Sequence, residues 1–145
     1  MLTEMRHTAI LGFALAGLFA VLFLPAAHVA VAQTSPSVTS ITPVRNALNV
    51  AANSNITVTF NQAILSATVT TTTFNVDGFI SGSISGSYSG GGTDTITFDP
   101  DANFAIGETI TVTLTTELQS SSGSMAAPYT WQFVVEVRGG TGTFT

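Results

Sequence analysis

Apolar and polar residues alternate in short runs along the chain beyond Gln33. A period of two places successive side chains on opposite faces of a β-strand, and no stretch here repeats with the 3.6-residue period of a helix. The intervening polar residues are mostly threonines, whose branched side chains favour extended backbone. The runs that predict core strands are Ile56–Phe60, Ile96–Phe98, Ile110–Leu114 and Trp131–Val137, with Trp131, Phe133, Val135 and Val137 on one face.

Weaker strands are predicted at Val38–Thr42, around Phe74–Asp77 and at Ile80–Tyr88. In the last of these, glycines and apolar residues share one face opposite serines, and glycine at alternate positions weakens a strand. We therefore place this segment at a sheet edge, followed by a turn at Gly90–Gly92. About seven strands and no helix predict an all-β chain, an immunoglobulin-like Greek-key β-sandwich.

The first 32 residues read as an export signal that precedes this domain. Arg6 supplies positive charge, Ala9–Leu24 is an uninterrupted apolar run, and Ala30–Ala32 offers a small-x-small cleavage site. The alternative, an uncleaved anchor, is weaker because the run is shorter than the ~20 residues of a spanning helix. The sequence therefore predicts a secreted or cell-surface protein with no membrane contact after cleavage. Its domain covers residues 33–138, and a Gly/Thr-rich tail or linker covers 139–145.

Charge and composition exclude several functions for the chain that remains after cleavage. Its only cations are Arg45 and Arg138, set against seven carboxylates, and it contains neither cysteine nor lysine. Nucleic-acid binding depends largely on Lys and Arg that neutralise phosphates, so we expect no nucleic-acid partner. Without cysteine there is no disulfide framework, and the hydrophobic core is the expected source of stability.

No catalytic site can be read from the residues. Serines are abundant at 120–124, but both histidines, His7 and His28, leave with the signal, so no ordinary base is available to activate a serine nucleophile. Paired carboxylates could in principle perform glycosidase chemistry, yet seven on a small sandwich are more simply surface charges. We predict that the chain is not an enzyme and holds no organic cofactor.

Calcium is the one candidate metal. Asp99, Asp101 and Asn103 place oxygen ligands at alternate positions, a spacing by which loops wrap hard cations. The alternative is a tight turn after a strand, which Pro100 favours. Asp77, Asp94 and Glu108 could join such a site only if the loops converge at one end of the sandwich.

Aromatic side chains suggest a second kind of site, a platform on which sugar rings stack. Trp131 is in phase with Phe133 and is predicted to pack in the core. Tyr88 and Tyr129 lie near strand ends and are the candidate ligand-binding residues. The chain would then be a carbohydrate-binding module.

A further alternative is self-assembly into fibres by strand exchange. Edge strands usually carry charge or proline, and Ile80–Ser89 carries neither. The edge could accept a strand from a neighbouring copy, supplied by Thr68–Thr73 or by the tail around Phe144. This interpretation predicts self-association, besides contacts with surface proteins or glycans.

Several features, in order, resemble the bacterial Ig-like domain of S-layer and other secreted multidomain proteins. The matching residues are Ile41–Pro43, Val50, Asn53–Phe60, Thr95–Pro100, Gly107–Val112, Gly123 and Trp131–Phe133. The tail Gly139–Thr145 resembles the opening of an integrin-type propeller repeat. The resemblance implies an extracellular spacer, adhesive or assembly module without catalytic residues, commonly one of several in a longer chain. A carbohydrate- or calcium-binding accessory module and a self-assembling fibre subunit remain the alternatives.

Overall fold

The computed structural model describes residues 34–137, which form ten β-strands and one turn of 3-10 helix. The predicted signal at 1–32 and the tail at 139–145 lie outside these residues. Within residues 34–137, no helix is long and apolar enough to cross a bilayer. The strands are β1 (Val38–Thr42), β2 (Ile56–Phe60), β3 (Phe74–Gly78), β4 (Gly82–Ser83), β5 (Gly86–Ser89), β6 (Thr95–Pro100), β7 (Thr109–Leu114), β8 (Gln119–Ser120), β9 (Gly123–Ser124) and β10 (Tyr129–Val134), and the 3-10 turn is Ser66–Thr68.

Eight of the strands form two four-stranded sheets, in the orders β1-β2-β6-β5 and β10-β7-β3-β4, while β8 and β9 form a small ribbon. All pairings between these strands are antiparallel. The chain changes sheet between β2 and β3, between β4 and β5, and between β6 and β7, the Greek-key pattern of an immunoglobulin-like sandwich. The predicted fold class is confirmed.

The core lies between the two sheets and is formed by the apolar positions of the alternating runs. Ile56, Val58 and Phe60 of β2 are buried while the threonines between them are half-buried. Trp131 is 1% exposed, and its indole Nε1 donates to the Pro43 carbonyl at 3.2 Å, so the core prediction for this residue is confirmed. Val137 was predicted to share that buried face and does not: β10 ends at Val134, and Val137 is 65% exposed.

The segment Ile80–Tyr88 is not the single edge strand that the sequence predicts. It divides into β4, which pairs with β3, and β5, which pairs with β6 in the other sheet. The amide of Ile84 donates to the Val76 carbonyl, while the Ser85 carbonyl accepts from Asp101, so adjacent residues are tied to opposite sides of the sandwich. Each piece is the last strand of its sheet, as an edge placement requires.

Residues 46–50 continue the direction of β1 and lie alongside β10. Val50 forms a parallel bridge with Val135, and Asn46 donates to Gln132 at 2.7 Å. Since these residues run parallel to β10, the chain enters the domain at one end of the sandwich and leaves it after β10 at the other. The outer edge of β10 is also covered.

Candidate functional site

A cleft of about 200 Å³ lies where the crossing from β4 to β5 meets the loop between β6 and β7. This is the end of the sandwich at which the chain leaves β10. Its lining combines hydroxyl, carboxylate and amide groups with apolar side chains. The lining residues are Ser81, Ser83, Ile84, Ser85, Asp101, Ala102, Asn103 and Phe104.

Backbone hydrogen bonds hold both walls of the cleft. On one side, Ile84 is tied to β3; across the cleft, the Asp101 amide donates to Ser85 at 3.0 Å. The Phe104 amide donates to the Ala52 carbonyl at 2.8 Å, and the Phe104 ring packs edge-on against Phe133 with centroids 5.8 Å apart. The cleft is thus a fixed feature of the domain end.

Glu108 is a buried carboxylate that accepts hydrogen bonds from the turn between β3 and β4. Its side chain is 1% exposed, and Oε1 accepts from the amides of Ile80 at 2.8 Å and Ser81 at 2.6 Å. Oε2 accepts from the Ser81 hydroxyl at 3.1 Å and from the Ala105 amide at 3.3 Å. Burial by itself would raise the pKa of Glu108, but the hydrogen bonds from Ser81, Ile80 and Ala105 outweigh it and hold the pKa below its ordinary value.

Gly78 makes room for this carboxylate. A Cβ atom at position 78 would overlap the Glu108 carboxyl group, so no larger residue fits without displacing it. From the sequence, Glu108 is one of seven carboxylates that are most simply interpreted as surface charges on a small sandwich. Its burial follows from the turn packed over it, which the sequence pattern did not reveal.

The three predicted calcium ligands are only partly brought together. Asp101 and Asn103 line the cleft, whereas Asp99 lies within β6 opposite Ser87, exposed and outside the lining. Glu108 already accepts four hydrogen bonds, and residues 34–137 contain no group of three or more His, Cys, Asp or Glu placed to hold a metal ion. Calcium binding stays a prediction, with two of its named ligands in one place.

Tyr88 and Tyr129, the predicted ligand residues, lie apart from the cleft. The Tyr88 ring packs against Phe74 and Phe98, with centroids 5.4 Å and 5.2 Å away. Its hydroxyl donates to the Phe74 carbonyl at 2.5 Å, and burial raises its pKa. This ring extends the core and offers little surface for stacking.

Tyr129 is half-buried at the opposite end of β10 from Val134. Its ring lies 5.8 Å from that of Trp131, and the Arg45 guanidinium sits 5.3 Å from its centroid. A cation so placed is attracted to the ring face. Tyr129 also lines a second, mainly apolar groove with Pro36 and Pro128, and ligand binding by this residue stays a prediction.

Comparison with known proteins gives one family and a set of similar folds. A family described as bacterial Ig-like domain matches residues 32–135. Among solved structures, CopC from Methylosinus trichosporium OB3b is similar to this chain with a TM-score of 0.53. The two are 13% identical, and the match covers 74% of this chain and 99% of CopC. No curated protein sequence matches the chain.

Two larger proteins contain a similar domain. Surface layer protein SbsC, solved as domains 1–6, gives a TM-score of 0.52 with 18% identity over 71% of this chain and 14% of that one. The LD transpeptidase LdtMt1, solved in complex with imipenem, gives 0.52 with 14% identity over 71% of this chain and 41% of that one. The chain thus spans less than half of either protein, and these likenesses show the fold alone.

Proposed function

Because the chain belongs to the bacterial Ig-like domain family, we propose that it serves outside the cell as a structural module that transmits tension between its two ends. The similar domain in SbsC belongs to a surface layer protein, which supports this location. No catalytic step is part of the proposal, since the likeness to a transpeptidase is one of fold at 14% identity.

The observation that carries the proposal is the parallel pairing of residues 46–50 with β10. Four backbone hydrogen bonds join them: Asn46 to Gln132 at 2.7 Å, Val134 to Ala47 at 2.8 Å, Val50 to Val134 at 3.1 Å, and Glu136 to Val50 at 2.8 Å. One of the two segments follows the entry strand, and the other is the exit strand. When the two ends of the domain are pulled apart, the segments are drawn in opposite directions along their length.

Such a load stretches all four bonds together, so they resist as a group. A load applied at one end of the same pair would instead open the bonds one after another, each carrying the whole force in turn. The arrangement therefore suits a link that must stay folded when neighbouring segments pull on it.

Single-molecule force measurements can test this on the full chain, because it contains no cysteine that would compete for attachment. Thr34→Cys with Val137→Cys attaches the two ends of the domain and loads the pair in shear. Ser54→Cys with Val137→Cys is the matched control, since Ser54 follows Val50 closely and lies at the same end as Val137.

We expect the end-to-end pair to unfold at a distinctly higher force than the control pair. Equal forces in the two geometries, or unfolding of both at the lowest measurable load, would contradict a tension-bearing role. Val50→Pro removes the amide that donates to Val134, one of the four hydrogen bonds. It should reduce the difference in unfolding force between the two geometries.

A further inference from the structure

Five polar side chains line the cleft. The Ser81 hydroxyl donates to Glu108, whereas the side chains of the other four make no hydrogen bond to another group within residues 34–137. These four are Ser83, Ser85, Asp101 and Asn103. All four are exposed, so their polar groups are free to meet a ligand. Polar side chains around a concave surface supply orientation and specificity to a bound molecule. We propose that the cleft binds one ring of a neutral saccharide.

The chemistry of the lining matches a sugar ring. Asp101 accepts hydrogen bonds from ring hydroxyls, the Asn103 amide both donates and accepts, and each serine hydroxyl does either. Ile84 and Phe104 add apolar surface to the lining, against which the C–H face of the ring would pack. At about 200 Å³ the cleft is smaller than the ~300–1,000 Å³ pockets that hold drug-sized ligands, so a single ring is the fitting size.

Charge favours a neutral sugar over an acidic one. Asp101 is a carboxylate in the lining, and Arg45, the one Lys or Arg residue between positions 34 and 137, lies against Tyr129. An acidic sugar would meet repulsion without a compensating cation. A calcium ion fits less well, because it takes six to eight oxygen ligands and the cleft offers a single carboxylate.

The walls of the cleft are fixed by backbone bonds before any ligand arrives. The Ser81 amide donates to the Glu108 carboxylate. The Asp101 amide donates to the Ser85 carbonyl, and the Phe104 amide donates to the Ala52 carbonyl. A preorganised site loses little freedom on binding. Even so, few groups contact the ligand, and we expect a dissociation constant on the order of 1 mM.

The test is an NMR titration of the full chain labelled with ¹⁵N. The probes are the β-1,4-linked disaccharides of glucose and of N-acetylglucosamine, with calcium chloride alone as a third titrant. Saccharide binding should shift the amide signals of 83–85 and 102–104 in a saturable way. No saturable shift there with either disaccharide would overturn the proposal, as would the same shifts appearing with calcium and not with sugar.

Asp101→Ala and Asp99→Ala form a matched pair of variants. Both remove one exposed carboxylate from the same part of the chain, but only Asp101 lines the cleft. We expect Asp101→Ala to weaken saccharide binding about tenfold, as loss of a hydrogen bond to a charged group implies, and Asp99→Ala to leave it unchanged. Equal losses in the two variants would reject the site.

Asn103→Ala is a second variant that leaves the net charge unaltered, and it should also weaken binding. Thermal unfolding of each variant checks that the fold is intact. Saccharide binding is independent of the proposed mechanical role. The force measurements use none of the cleft variants, so the saccharide proposal and the mechanical proposal can each fail without the other.

Discussion

At the residue scale, the least expected group in the domain is the buried carboxylate of Glu108. A charge that is taken out of water is costly unless hydrogen bonds replace its hydration. Here three amides and one hydroxyl do so, and they come from the β3–β4 turn and from the loop before β7. Glu108 thereby ties the β3–β4 turn to the loop before β7.

We predict that Glu108→Gln lowers the free energy of unfolding by about 2 kcal/mol, because a neutral amide weakens hydrogen bonds to a charged group and turns an NH₂ toward amide donors. Urea unfolding of the full chain at pH 7 measures the difference. Glu117→Gln is the control, since Glu117 is exposed, and its substitution should change stability by less than about 0.5 kcal/mol. Equal effects of the two substitutions would contradict a structural role for Glu108.

The lowered pKa of Glu108 also predicts a dependence on pH. Its ordinary value is 4.5, and in the folded state the pKa lies below that. The unfolded chain then takes up the proton first as pH falls, so the stabilisation is present above about pH 4.5 and is lost as pH falls through the folded-state pKa. The free energies of unfolding of wild type and Glu108→Gln should therefore approach each other as pH falls below 4.5. A difference between them that stays constant down to pH 3 would contradict a lowered pKa of Glu108 in the folded state.

At the element scale, the strands with one buried and one hydrated face are the ones that the sequence predicts well. β2, β7 and β10 alternate without interruption, so their positions and inward faces follow from the period of two alone. Trp131 was assigned to the core on phase, and the structure confirms it. The alternation failed only past the strand end, at Val137, because periodicity does not mark where pairing stops.

The crossing between β4 and β5 could not be predicted in the same way. Serines and glycines alternate through Ile80–Ser89 with no break at Ile84, where the chain leaves one sheet for the other. The break is set by bonds to Val76 and Asp101, which are distant in sequence from each other. Because the candidate cleft is formed by this crossing, its serines looked like the solvent face of an ordinary edge strand.

Residues 46–50 show a related gap in prediction. They have no apolar alternation, and their pairing with β10 runs through backbone atoms. Pairing through backbone atoms leaves almost no trace in the pattern of side chains. The sequence therefore predicts the two sheets but not the pairing of residues 46–50 with β10.

At the scale of the whole molecule, the sheet that contains β1 ends at β1 on one side and at β5 on the other, within the residues that the structure describes. β5 carries neither charge nor proline within Gly86–Ser89, so the usual barriers to edge-to-edge pairing are missing. Thr68–Thr73 is a poor donor of a complementing strand, because it is folded into turns in which the Thr73 hydroxyl donates to the Thr68 carbonyl at 2.6 Å. Association through β5 of two copies therefore needs no unfolding, whereas strand donation does.

We predict weak, concentration-dependent self-association of the full chain through β5, measured by analytical ultracentrifugation. Ser87→Lys puts a cation on this edge, where two copies would bring like charges together, and should abolish the association. Ser35→Lys makes the same change in charge on an exposed residue ahead of β1 and should not. A chain that stays monomeric at every concentration contradicts edge pairing. Equal loss of association in both variants would show that the contact does not depend on the β5 edge, since each substitution changes the net charge from −5 to about −4.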